Sequence, residues 1–214
     1  MKTVVVVFAR EPVPGRVKSR LAEAIGERPA ARVYAVLLER TLEVAGASRF
    51  DVVVSLAETP TPAWIDNREE LWEVQPGVDL GARMYDAFER RFRENYDRVV
   101  VVGSDCPFLR RRQLAQSVES LERMPVVLGP ACDGGYWLVA QRHPGVDLFS
   151  GIPWSIPATL AASRKRLEAL QTPWIELEEL DDVDTIEDLR RALEDPNLPP
   201  GLRKRLMDAA AGHV

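Results

Sequence analysis

Histidine is nearly missing: the 214-residue chain has only His143 and His213. A histidine general base or a His-rich metal site is therefore set aside. Cysteine is as scarce. Cys106 and Cys132 match neither a disulfide framework nor a zinc-ligand spacing, and packing as small buried hydrophobes is their expected role. Long hydrophobic runs are missing too. The opening run, Thr3 to Ala9, turns charged at Arg10 and Glu11, too soon for a signal-peptide core or a membrane-spanning helix. Two glycine fingerprints are absent, the Gly-x4-Gly-Lys-Ser/Thr loop and Gly-x-Gly-x-x-Gly, so dinucleotide binding loses support. Nor is there an excess of positive charge. Against 28 Lys and Arg stand 33 Asp and Glu, a formal net charge of −5, which disfavours nucleic-acid and anionic-membrane partners. These absences lead to the expectation of a reduced, cytoplasmic protein with no nucleic acid and no membrane partner. With 46% apolar residues, the chain can build a real core.

What is present reads as strands alternating with helices, without repeats or low-complexity segments. Continuous β-branched runs at 3–9 and 98–103 predict strands buried on both faces, and 50–57, 71–75, 125–131, 136–141 and 174–180 predict further strands. Helices are expected over 19–26, 29–46, 110–123 and 157–170. Another begins after Asp79 as N-cap, with Leu80, Met84, Phe88 and Phe92 as its buried stripe. Thr185, with Asp188 three residues on, opens the last domain helix as a capping box. The segment 59–64 reads as a proline loop. This alternation predicts an α/β class: a single Rossmann-like three-layer α/β/α domain over 1–195 with a mixed, mostly parallel sheet. The tail 196–214 has three prolines and a short basic helix, and is left open between packing and extending free. Ligands of such sheets bind beyond the C-terminal strand ends, and the unusual residues lie there.

The loop "PVPGRVKSR" (12–20) turns at Pro14-Gly15 and carries Arg16, Lys18 and Arg20, an arrangement suited to a di- or triphosphate. A solvated basic loop fits the same residues. In "GSDCP" (103–107), Asp105 stands where strand becomes loop; it suits a hard-oxygen ligand to Mg2+ or Mn2+, or a turn aspartate before Pro107. "CDGGY" (132–136) offers Asp133 beside Gly134 and Gly135, a close-approach loop and also a strong hairpin signal. In "ELDDVDTIEDL" (179–189), Asp181, Asp182 and Asp184 crowd before a helix; its dipole accounts for one or two of them, and a cation would hold the rest. Gln75, Gly77 and Gly81 open a helix after a strand, where a base or ribose could approach. Trp154 and Ser155 lie in the rigid loop "GIPWSIP" (151–157), a platform for an acceptor or a core contact.

Taken in order, "FAREPVPGRVKSRLAEAIG", "GVDLGARM", "GSDCPFL", "LGPACDGGYWLV", "LFSGIPWS" and "LDDVDTIEDL" resemble a bacterial GT-A-like family of small glycosyltransferases, the rSAM/selenodomain-associated or nucleotide-diphospho-sugar transferases. The resemblance covers about residues 1–193. It implies the nucleotide-diphospho-sugar transferase fold, with nucleotide phosphates on Gly15, Arg16, Lys18 and Arg20 and a divalent metal on Asp105 and Asp184. Position 103 is Gly, so one carboxylate stands where an Asp-x-Asp motif has two. On this basis Lys18, Asp105 and Asp133 are the candidate catalytic residues. Gln75, Gly77 and Gly81 join the nucleotide side; Gly134, Gly135, Trp154 and Ser155 form the acceptor side. The expected partners are a nucleotide or sugar nucleotide and a small-molecule acceptor, with Mg2+ or Mn2+; a homodimer stays open. Transfer from a nucleotide-diphospho-sugar leads. Nucleotidyl transfer with pyrophosphate release and a non-catalytic nucleotide-binding module are the alternatives.

Overall fold

The structure, a computed structural model, describes residues 1–66, 70–154 and 156–214. Among these, seven strands form one sheet: β1 (Thr3–Ala9), β2 (Asp51–Leu56), β3 (Trp72–Val74), β4 (Arg98–Val102), β5 (Val126–Pro130), β6 (Tyr136–Arg142) and β7 (Trp174–Glu176). Their order is β3-β2-β1-β4-β6-β5-β7, and β6 alone runs against its neighbours. The sheet is therefore mixed and mostly parallel. The valine runs explain its centre. Alternate side chains point to opposite faces: Val5, Val7, Val100 and Val102 enter one core cluster, and Val4, Val6, Val99 and Val101 the other. Both faces are covered, so neither strand alternates in polarity.

The helices are α1 (Ser19–Ile25), α2 (Glu27–Gly46), α3 (Pro62–Ile65), α4 (Leu80–Arg93), α5 (Arg111–Ser120), α6 (Thr159–Ala169), α7 (Ile186–Glu194) and α8 (Pro200–Ala209). α2 buries residues on two sides. Tyr34, Leu38 and Leu42 face the sheet, while Ala30, Val33 and Leu37 meet α1 and α8. That double burial spreads its apolar residues beyond a single stripe. The tail packs: Leu202 and Leu206 of α8 are buried against α1 and α2. Among the described residues no helix is long and apolar enough to cross a membrane.

Three expectations need correction. The proline segment contains α3, because Thr61 caps Trp64 N (3.3 Å) and Pro62 sits in the first turn, where no N–H is needed. β7 ends at Glu176; the chain continues beside β5 only through Leu177 N to Leu128 O and Leu180 N to Pro130 O. Leu80 is not part of the α4 stripe. Met84, Phe88 and Phe92 are buried, but Leu80 is 39% exposed, because at the first turn of α4 it lines an open cleft.

The chain leaves β1 towards β2 and β3 on one side, then crosses to β4 on the other. β1 and β4 are adjacent, with Val7 opposite Val102. Their exit loops thus emerge side by side where the strand order reverses, the place open α/β sheets use for ligands.

Candidate active site

A cleft of about 740 Å³ opens at that reversal. Gly15, Arg16, Lys18 and Arg20 line it from the first loop, Gln75 from the exit of β3, Asp105 from the exit of β4, and Asp184 from the segment before α7. Lys18 is its centre. The Nζ atom donates to Asp105 Oδ2 at 2.9 Å and to Asp184 Oδ1 at 2.6 Å. Its side chain is 5% exposed, against 35% and 30% for the two acids. Burial pulls the Lys18 pKa down, but the charges and hydrogen bonds of Asp105 and Asp184 outweigh it, so the shift is upward and the ammonium persists. The Lys18 backbone is left-handed (φ 49°, ψ 50°), uncommon for a residue with a Cβ, at the N-cap of α1, where its carbonyl accepts from Ala22 N at 2.8 Å.

Local structure fixes both acids. Val183 N donates to Asp105 O at 3.1 Å, tying the 181–184 segment to the exit of β4. The α7 capping box is complete: Asp188 N donates to the Thr185 hydroxyl, and Asp188 Oδ2 accepts from Thr185 N and Asp184 N. Each of the crowded acids finds a different solution. Asp184 meets Lys18 and Arg20, and Asp181 meets Arg191 at 3.5 Å. Asp182 is half-buried, and its buried Oδ1 has no hydrogen-bond partner among the described residues. Burial first, then the charge of Asp105, pushes its carboxyl well above the usual range, with only Lys18 pulling back.

Other predicted residues fall elsewhere. Gly77 lies against Ala82 and Arg83. A Cβ on Gly81 would overlap the indole of Trp154, so the close approach there is by Trp154. Trp154 also packs edge-on to Tyr136, with ring centroids 6.2 Å apart. Asp133 Oδ1 accepts from Gly135 N at 2.8 Å, a turn contact within the hairpin. A Cβ on Gly134 would overlap the Pro157 backbone, so the hairpin loop and the 151–157 loop are pressed together. Gly77, Gly81, Asp133, Gly134, Gly135 and Trp154 do not line the cleft. Ser155 lies outside the described residues. Cys106 is buried as expected; Cys132, in the turn between β5 and β6, is exposed, and its thiol contacts Glu179 Oε1.

Sequence reasoning missed Tyr34 and Ser104. The Tyr34 hydroxyl accepts from Arg10 N (2.9 Å) and shares a hydrogen bond with Ser104 Oγ (2.8 Å), stapling the exits of β1 and β4 together. Its ring centroid lies 5.8 Å from Lys18 Nζ. The available signal was a tyrosine inside the apolar face of α2, whose hydroxyl needs a buried partner. Gln75 Nε2 donates to Ser55 O at 2.6 Å, which locks its side chain at the cleft wall.

The chain belongs to the bacterial family described as "Uncharacterized protein conserved in bacteria (DUF2064)", matched over residues 41–156. Asp105 lies inside that span, and Lys18 and Asp184 outside it. The structure is similar to a protein of Desulfovibrio desulfuricans G20 named as a candidate nucleotide-diphospho-sugar transferase. The identity is 26% and the TM-score 0.90, covering 100% of this chain and 97% of that one. It is also similar to CMP:2-keto-3-deoxy-manno-octonic acid synthetase complexed with CTP (16% identity, TM-score 0.56, 89% and 96% covered). A cytidylyltransferase of Leptospira borgpetersenii serovar Hardjo-bovis is similar too (16% identity, TM-score 0.54, 97% and 93% covered). These last two likenesses concern the fold alone. No curated protein matches the chain. The fold is the GT-A-like nucleotide-diphospho-sugar transferase fold.

Proposed function

We propose that the protein is a nucleotide-dependent transferase that moves a glycosyl group from a nucleotide-diphospho-sugar to a small-molecule acceptor. The observation that carries this reading is Lys18, held between Asp105 and Asp184 within a basic loop at the strand-order reversal. As the anomeric C–O bond breaks, negative charge grows on the departing nucleoside diphosphate. Arg16, Lys18 and Arg20 are cations lining the cleft that can meet that charge. The D. desulfuricans protein's name supports sugar transfer over other chemistries. We assign Asp133 to the catalytic residues and Gly134, Gly135, Trp154 and Ser155 to the acceptor, whose hydroxyl attacks the anomeric carbon.

The fold family implies Mg2+ or Mn2+. Among the described residues no three His, Cys, Asp or Glu side chains gather as a metal-binding group. Asp105 and Asp184 nevertheless fit such an ion. They are hard oxygen donors facing one point, and Mg2+ is usually held by one or two carboxylates with phosphate and water completing the shell. When bound, the ion would supply charge neutralisation on the phosphate oxygens.

Nucleotidyl transfer is the second reading, favoured by three basic residues within 16–20 and the single carboxylate of "GSDCP". There an acceptor phosphate oxygen attacks the α-phosphorus and pyrophosphate leaves. Incubation with Mg2+ or Mn2+ and panels of sugar nucleotides and nucleoside triphosphates separates the two. Release of nucleoside diphosphate from a sugar nucleotide is expected, and Asp105→Ala should lose it while keeping its circular dichroism. Pyrophosphate release that requires a phosphorylated acceptor would establish the second reading. Nucleotide binding with no product would leave a binding module.

A further inference from the structure

Asp105 Oδ2 and Asp184 Oδ1 converge on one point, and Lys18 Nζ stands on it. These are the oxygens that the proposed function gives to a divalent cation. An ammonium at hydrogen-bond distance and a metal at ~2.1 Å cannot share that volume. Both acids are already paired: Asp105 with Lys18, and Asp184 with Lys18 and Arg20. A divalent cation added alone would have to displace Lys18 from between them. It would also strip Lys18 of both partners, and with its side chain 5% exposed, Lys18 has little water to replace them. A phosphate gives the displaced ammonium a new partner.

We propose that Lys18 is a built-in counter-ion that competes with the divalent cation for Asp105 and Asp184, so that cation and nucleotide phosphate bind as a linked pair and the cation alone binds weakly. The inference rests on the metal reading above. One further feature fits it. Arg20, bound to the second oxygen of Asp184 and 64% exposed, keeps that carboxylate oriented while Lys18 changes partner. Linkage makes the coupling reciprocal: whatever phosphate does for the cation, the cation does for phosphate.

The test measures Mn2+ binding, not turnover. Mn2+ alone is titrated into the unmodified protein and into Lys18→Met, with free Mn2+ read by electron paramagnetic resonance. Lys18→Met should bind Mn2+ roughly 5- to 150-fold more tightly, the usual span of such couplings. Equal or weaker binding by a folded Lys18→Met would overturn the proposal. Lys18→Gln, which keeps a polar tip without the charge, serves if the methionine variant does not fold. A second measurement needs no change at Lys18. At fixed Mn2+, adding a nucleoside diphosphate should raise protein-bound Mn2+, seen by water-proton relaxation, beyond the level in Asp105→Asn; no rise would overturn the linkage. Failure of the transferase reading looks different: no product, with the Lys18→Met gain intact.

Discussion

Asp182 Oδ1 is buried and receives no hydrogen bond among the described residues, while Asp105, Asp133 and Asp184 all oppose its ionisation. A carboxyl whose folded pKa is raised favours the protonated form of the folded state. Its contribution to stability is full below the ordinary aspartate range and is lost as pH rises through the raised value. At pH 7 the folded protein therefore carries an opposed acid. Asp182→Asn should raise the melting temperature at pH 7, and the gain should shrink as pH falls from the raised value towards the ordinary aspartate range and vanish below it. A variant that melts at or below the parent at pH 7 would show that the acid is compensated. Asp188 is the opposite case. Burial raises its pKa, but the Thr185 hydroxyl, the backbone N–H groups of Thr185 and Asp184, and Arg191 outweigh that and lower it. Its share of stability holds above the ordinary aspartate range and is lost as pH falls through the depressed value. Stability given up at Asp182, under the charges of Asp105 and Asp184, is what a functional site is expected to show.

At the scale of elements, the join between α4 and the 151–157 loop is the most exacting. Gly81 lies in the first turn of α4 directly under the Trp154 indole. Replacing glycine by alanine inside a helix is worth about 1 kcal/mol in favour of the variant. Here the added methyl meets a ring braced by Tyr136 and Phe149, which cannot swing aside like a flexible chain end. Overpacking of this kind costs about 1–3 kcal/mol, so the clash wins. Gly81→Ala should lower the urea midpoint with an altered tryptophan emission; an unchanged or higher midpoint would mean that the loop yields. This contact also marks the limit of what the sequence disclosed. The valine runs, Asp79 as a cap (Ala82 N, 2.8 Å) and the Thr185–Asp188 box were legible because each is local. Lys18, Asp105 and Asp184 were legible as candidates because each stands at a strand exit or a helix start. That Lys18 sits between the two acids, that Trp154 covers Gly81, and that Tyr34 joins Arg10 to Ser104 were not. Those contacts join distant segments, and no periodicity encodes them.

The whole molecule is braced by its C-terminal segment, and the ion pair at the centre of the cleft depends on it. Leu198, Leu202, Leu206, Ala209 and Ala210 join a core cluster with Leu21 and Ile25 of α1, Val33 and Leu37 of α2, and Val183 and Leu189 around the start of α7. α1 follows Lys18 directly, and Val183 precedes Asp184. One apolar cluster therefore supports both sides of the Lys18–Asp184 pair. Arg32 Nε to Ala209 O (3.1 Å) and Arg205 to Glu43 (2.7 Å) fasten the outer face. Fully burying a leucine is worth about 1.5–3 kcal/mol, and three are lost with the segment. That total, about 5 kcal/mol or more, rivals the ~5–15 kcal/mol that keeps a domain folded. A chain ending at Asp195 should thus unfold at a much lower urea concentration than the full chain. Where it still folds, it should bind nucleotide more weakly, because α1 and the 181–184 segment lose their common support. An unchanged midpoint and slope in urea would show that the segment rests on the domain without stabilising it.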